Sequence, residues 1–341
     1  MKIAKSIFIL IIFVSAGTKY NTTFKHEEKL KTIPIIKDIP AMTLGSFFLN
    51  DSIMITQDVR AKKDFIKVYD YKNNNLFIQF GNAGRGPDEL PTPFLSGLCN
   101  EGEEFYLFDP NLKKIHKCEI NSFSCKPNQV IDLKDVGLQF IFDAKQVAEN
   151  LFIAKGLFKD GLFALINLTE GESVVTFNGK FPFAPKGIDS YQLSELNAGN
   201  ITVDFSYKYL IYTAINVGYI CCYKIENSHL EKIWEHWITE PKYSVSSGKI
   251  YLKNENILGF MDVAATDDFV YAVYHGKNMQ AFRSQTAKDS PETIMKFSLK
   301  DGIPLARFTT DVPVTRIAVN PDGEVYCIAK PLGYNLVKVE L

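Results

Sequence analysis

The chain has 341 residues, 46% of them hydrophobic and 13% aromatic, with 38 Lys and Arg against 39 Asp and Glu. A chain of that size and composition buries a full core, which excludes disorder, and its formal net charge of −1 provides no phosphate-neutralising surface of the kind nucleic acid requires. All-β folds of this length often form one unit, so the domain count has to come from internal repeats.

The first twenty residues place Lys2 and Lys5 ahead of an unbroken apolar run from Ile7 to Val14, followed by Ser15, Ala16 and Gly17. This charged, apolar, small order is that of an export signal cleaved after Ala16, leaving a linker over 17–29. Eight helical residues reach only about 12 Å, far short of the roughly 30 Å of a bilayer interior. A buried first strand or helix is the alternative. The expected location is therefore periplasmic or secreted, with no membrane span after cleavage.

From there the chain repeats one unit six times. Alternating segments rich in β-branched and aromatic residues recur at 65 (FIKVYDY), 114 (KIHKCEI), 162 (LFALINL), 219 (YICCYKI), 293 (TIMKFSL) and 335 (NLVKVEL), each reading as a half-buried strand. Ahead of each lies a second apolar run behind polar turn residues, such as SIMIT after Asn50-Asp51 and FVYAVY after Asp267-Asp268. A third strand precedes these pairs (GSFFL, ITVDF, VTRIAV) and a fourth follows (NLFIQF, SVVTF, PLARFT). Four strands repeated about every 40 to 75 residues, without helical periodicity, predict an all-β fold: a six-bladed β-propeller of four-stranded antiparallel blades spanning 30–341. The sixth unit stops at its third strand, so the segment LKTIPIIK near residue 30 is expected to complete the last blade and close the ring, with Pro34 on an edge where a missing N–H costs little.

The Gly-rich segment FGNAGRGPDEL at 80–90 falls between two blades. A phosphate-binding loop needs Gly-Lys-Ser/Thr and a following helix, and Leu90-Pro91-Thr92-Pro93 forbids that helix, so these glycines describe an inter-blade crossover. Phe80, Gly81, Gly84, Gly86, Pro87 and Glu89, then Pro93, Gly102, Tyr106, Asp109, Asn111 and Ile115, resemble the NHL-type repeat of six-bladed propellers over about forty residues, with Lys113-Lys114 where that pattern has arginine. The segments FVYAVYHGKN, IMKFSLKDGIPLARF and RIAVNPDGEVYCIA within 269–341 resemble TolB-like six-bladed propeller proteins of Bacteroidota, many of them lipoproteins of uncharacterised function. A lipid anchor would need a cysteine after the signal, where Gly17 and Thr18 stand.

Among six cysteines, Cys118 and Cys125 flank Asn121-Ser122, where a two-residue turn would set them opposite one another as a candidate disulfide. Cys221 and Cys222, and likewise Trp234 and Trp237, point to opposite faces of a strand. No pair of Cys or His has zinc spacing.

In an antiparallel blade, turns one and three lie on one face of the disk, and turn two and the inter-blade link on the other. The long connections near 57, 80, 178, 239 and 275 all have the second parity and crowd one face, where binding function is usual. Arg60, Arg85, Lys186, Tyr191, His275 and Arg283, with Lys242 and Tyr243, are the candidate ligand-binding residues there; their mixed cationic and aromatic character suits an anionic small molecule, a glycan or a peptide, and the expected partner is an envelope protein, a peptide or a glycan. The expected function is an exported, monomeric, non-catalytic binding or scaffolding module of the cell envelope that needs no cofactor. The alternative is a metal-dependent propeller hydrolase or lactonase holding Ca2+ or another divalent ion in the channel through acids such as Asp143, Asp204 and Asp262. There is no Gly-x-Ser-x-Gly elbow for a nucleophile.

Overall fold

The computed structural model describes residues 22–39, 47–58, 60–86, 89–91, 94–99, 104–120, 129–133, 140–169, 172–226, 229–284, 291–330 and 334–341. The export signal expected at 1–16 lies outside them. The described chain starts with β1 (His26–Leu30) and β2 (Thr32–Ile36), then builds blade 1 from β3 (Phe47–Leu49), β4 (Ile53–Gln57), β5 (Lys63–Asp70) and β6 (Asn75–Ala83), with β7 (Glu89–Leu90) added parallel to β6. Blade 2 is β8 (Phe94–Cys99), β9 (Glu104–Asp109), β10 (Lys114–Glu119) and β11 (Gln129–Asp132); blade 3 is β12 (Phe140–Ala148), β13 (Leu151–Leu157), β14 (Phe163–Thr169) and β15 (Glu172–Asn178). After helix α1 (Ser190–Leu196) comes blade 4: β16 (Gly199–Val203), β17 (Tyr209–Ala214), β18 (Tyr219–Glu226) and β19 (His229–Trp237). A separate hairpin, β20 (Tyr243–Ser246) and β21 (Lys249–Leu252), precedes blade 5, formed by β22 (Phe260–Ala265), β23 (Phe269–Tyr274), β24 (Thr293–Ser298) and β25 (Pro304–Thr310), with α2 (Met279–Ser284) between β23 and β24. Blade 6 is β26 (Val314–Val319), β27 (Val325–Ala329) and β28 (Asn335–Val339), completed by β2.

The closure follows the sequence expectation: β2 runs antiparallel to β28, with Thr32 opposite Val339. The N-terminal segment does more, because β1, in the stretch expected as a linker, pairs in parallel with β25 of blade 5, Leu30 opposite Thr310. One segment thus joins the outer edges of two blades, and Asp311 fixes the step between them by accepting from Thr32 N at 3.1 Å and Thr32 Oγ1 at 2.8 Å. The innermost strands β3, β8, β12, β16, β22 and β26 touch in that order, and β26 returns to β3, which closes the ring.

The core lies in the seams. Buried residues fall into six apolar clusters, one between each pair of neighbouring blades. Strand alternation feeds both neighbours at once: Cys221 and Trp237 enter the seam of blades 3 and 4, whereas Cys222 and Trp234 enter that of blades 4 and 5. Trp234 also donates to the Leu299 carbonyl at 2.7 Å, satisfying its buried indole. Cys118 is buried and Cys125 lies outside the described residues; the β10–β11 register sets Lys117 opposite Gln129, whereas a two-residue turn at 121–122 would set it opposite residue 126.

Candidate functional site

The long-loop face is organised by amides. Helix α1 is N-capped by Asp189, whose carboxylate accepts from Tyr191 N at 3.0 Å and Gln192 N at 3.1 Å. Its far end is sunk into the seam of blades 3 and 4. Ser194, fully buried, donates to the Gly156 carbonyl at 2.9 Å, and buried Asn197 donates to the carbonyls of Phe183 (2.7 Å) and Leu193 (2.8 Å) while accepting from Phe183 N. The Asn197 carbonyl receives both Lys155 Nζ at 3.1 Å and Tyr212 Oη at 2.5 Å. Burial lowers the Lys155 ammonium from its ordinary 10.5 to about 7, with Asp143 opposing the shift.

The next loops dock onto α1. Gln192 bridges to the hairpin, donating to the Gly248 carbonyl and accepting from Ile250 N, each at 3.4 Å, and the Phe183 and Tyr243 rings meet edge to face at 5.0 Å. Buried Asn256 accepts from Lys242 N at 3.0 Å and donates to the Asn216 carbonyl at 2.8 Å, while its own carbonyl accepts from Met279 N at the start of α2. Around this frame Tyr191, Tyr243, Tyr251 and Phe282 are exposed.

The six sequence candidates divide between two regions. Lys186 and Tyr191 are exposed in the α1 loop, and Arg283 is exposed on α2, donating to Asn254 Oδ1 at 2.9 Å. His275 belongs to the same loops but is buried at their base, its Nδ1 accepting from Lys277 N at 3.3 Å and its ring edge-on to Phe282. It supports the loop rather than lining a contact surface, a difference from the sequence expectation. Arg60 and Arg85 are exposed at blade 1. Asp58 caps the first turn through Arg60 N and Ala61 N, and Glu89 closes the second by accepting from Gly86 N at 2.8 Å. The Gly-rich segment thus lies between blades 1 and 2, as the expected crossover, with β7 paired back onto β6.

Sequence reasoning missed the channel mouth. In four blades the innermost strand shifts register near its start, at Leu95/Gly97, Ile141/Asp143, Phe260/Asp262 and Val314/Arg316. Bulges re-aim side chains, and at two of them, Ser96 and Met261, the bulged residue's carbonyl becomes an inter-blade acceptor. Lys145 donates to the Ser96 carbonyl, and the Met261 carbonyl receives Asn200 Nδ2 at 2.9 Å and Arg316 Nη1 at 3.2 Å. Above this belt Phe94, Phe140 and Phe142 are exposed at the starts of β8 and β12. A period-two pattern was visible in Phe140 and Phe142, but only the closed ring places the starts of β8 and β12 around the axis.

The acids of the metal-dependent alternative are separately engaged. Asp143 binds Lys145 Nζ at 3.2 Å and Ser96 Oγ at 3.1 Å; Asp262 accepts from Ile317 N at 2.9 Å; Asp204 sits in a turn on the opposite face, accepting from Lys208 N and Tyr209 N. Among the described residues no three His, Cys, Asp or Glu side chains converge on a common point.

This ring with its decorated face defines the molecule's class, a six-bladed propeller with one loop-rich side. The chain belongs to the TolB-like six-blade propeller family, which matches residues 46–322. No curated protein matches the chain. Similar solved structures include a Bacteroides fragilis protein described as exported (12% identity, 93% of this chain and 98% of that one, TM-score 0.58) and a member of the DUF4221 family from Bacteroides vulgatus (12%, 92% and 96%, 0.57). A calcium-binding regucalcin from Agrobacterium tumefaciens is similar at 8% identity over 92% and 96% of the chains, TM-score 0.51. At these identities the likeness is one of fold. No helix among the described residues is long and apolar enough to cross a membrane.

Proposed function

We propose that this protein is an exported, non-catalytic binding module of the bacterial cell envelope that holds a partner on its long-loop face. The observation that carries the reading is the amide-locked frame of α1, the β20–β21 hairpin and α2, which presents exposed Tyr191, Tyr243 and Tyr251 beside a mouth edged by Phe94, Phe140 and Phe142. Fixed aromatic side chains lose little entropy on binding and supply large contact area, the usual composition of an interface centre. Export rests on the charged, apolar and small-residue order of 1–17. The test is capture of an envelope component by the mature protein in the presence of chelator. The reading predicts chelator-insensitive capture that is lost in the Tyr191→Ala/Tyr251→Ala double variant. Chelator-sensitive hydrolysis of lactones or esters, with capture unchanged in that variant, would overturn it.

A further inference from the structure

The two faces of the disk carry opposite charge. Counting the described residues between strands two and three of each blade and in the six links from one blade's outermost strand to the next blade's innermost, the long-loop face holds 14 Lys and Arg and 10 Asp and Glu. The described residues in the turns between strands one and two and between three and four hold 3 and 8. Among these described residues the charge is therefore polarised, +4 on one side (14 against 10) and −5 on the other (3 against 8). Several of the long-loop acids are committed to local structure, Asp58, Glu89 and Asp189 each capping backbone N–H groups, whereas Lys180, Lys186 and Lys249 are exposed.

We infer that the partner is an acidic polypeptide segment carrying aromatic or aliphatic side chains, drawn to the cationic loop face and anchored by the phenylalanines at the channel mouth. The inference rests on the loop-face reading above and adds the partner's chemistry. Charge complementarity selects an acidic partner and disfavours a basic one. A polypeptide fits better than a bilayer because Phe94, Phe140 and Phe142 stand on the strands that ring the axis, beside the polar belt of Lys145, Asn200 and Arg316, where separate side chains rather than a continuous apolar surface can be matched. An anionic glycan would meet the charges but leave the phenylalanines without an apolar counterpart.

The probe is the random copolymer poly(Glu,Tyr), with polyglutamate, dextran sulfate and vesicles of anionic phosphatidylglycerol as comparisons, measured against the mature protein. The expected result is saturable binding of the copolymer, tighter than polyglutamate by about tenfold and weakened at least tenfold between about 50 and 500 mM salt. Lys180→Glu/Lys186→Glu/Lys249→Glu should lower that affinity by about tenfold or more, whereas the turn-face variant Lys72→Glu/Lys208→Glu/Lys300→Glu leaves it unchanged. Phe142→Ser should erase the preference for the copolymer over polyglutamate. Equal effects of the two charge-reversal variants, preferred binding of dextran sulfate or vesicles, or salt-dependent self-association in place of copolymer binding would each overturn the inference. Loss of copolymer binding alongside continued Tyr191-dependent capture of an envelope component would overturn the partner's chemistry alone and leave the binding-module reading standing.

Discussion

The loops over blades 3 to 5 and those over blade 1 share a face and a parity, yet they are built differently. Over blade 1, Asp58 and Glu89 each cap their own segment. Over blades 3 to 5, the side-chain amides of Gln192 and Asn256 tie one connection to the next, and that of Asn197 braces the α1 connection within itself, so the long loops form one hydrogen-bonded frame. Long loops become a surface where buried polar groups join them, and remain separate turns where each is capped on itself.

The largest effect is expected at Asn197, the brace of the α1 connection. Asn197→Ala strands the N–H and carbonyl of Phe183, while the Leu193 carbonyl keeps the backbone N–H of residue 197, for an expected loss of about 3 kcal/mol and a fall in Tm of about 5 °C, read by thermal unfolding. Lys155 tests the same anchor through pH. Because its folded value is depressed to about 7, the unfolded chain holds a proton that the folded one lacks between there and about 10.5, so stability rises with pH across that window and is lower below it. Lys155→Met should remove about 3 kcal/mol of that pH-dependent rise, measured as the difference between denaturant titrations of the two proteins at pH 7 and pH 10. Asp58→Ala, at the self-capped turn of blade 1, should cost only about 1 kcal/mol. Gln192→Ala, which unties α1 from the hairpin at two long 3.4 Å contacts, should cost less than about 0.5 kcal/mol, yet speed amide exchange over 243–252.

The ring was legible because its information is local. Period-two alternation marks each strand, and turn residues mark each reversal, so six units and the closing role of 32–36 could be read directly. The parallel addition of β1 could not, since HEEKL is almost wholly exposed and alternation is silent about an edge strand with no buried face. Parity assigned Lys186, Tyr191, Arg283, Arg60 and Arg85 to one face, because parity follows from strand count alone. It did not distinguish exposed Tyr191 from buried His275, whose burial depends on Phe282 folding back over it from α2. Nor could it find the belt at the channel mouth, which needs one-residue bulges that make no mark in an apolar run such as FIFDA.

The central claim is that partner contact falls on the long-loop face. Amide exchange of the mature protein with and without its captured envelope partner measures this directly. The account predicts protection concentrated in 140–143, 183–196 and 242–252, with the turns at 204–208, 266–268 and 320–324 unchanged. Protection of those turns with the long loops unaffected would contradict it.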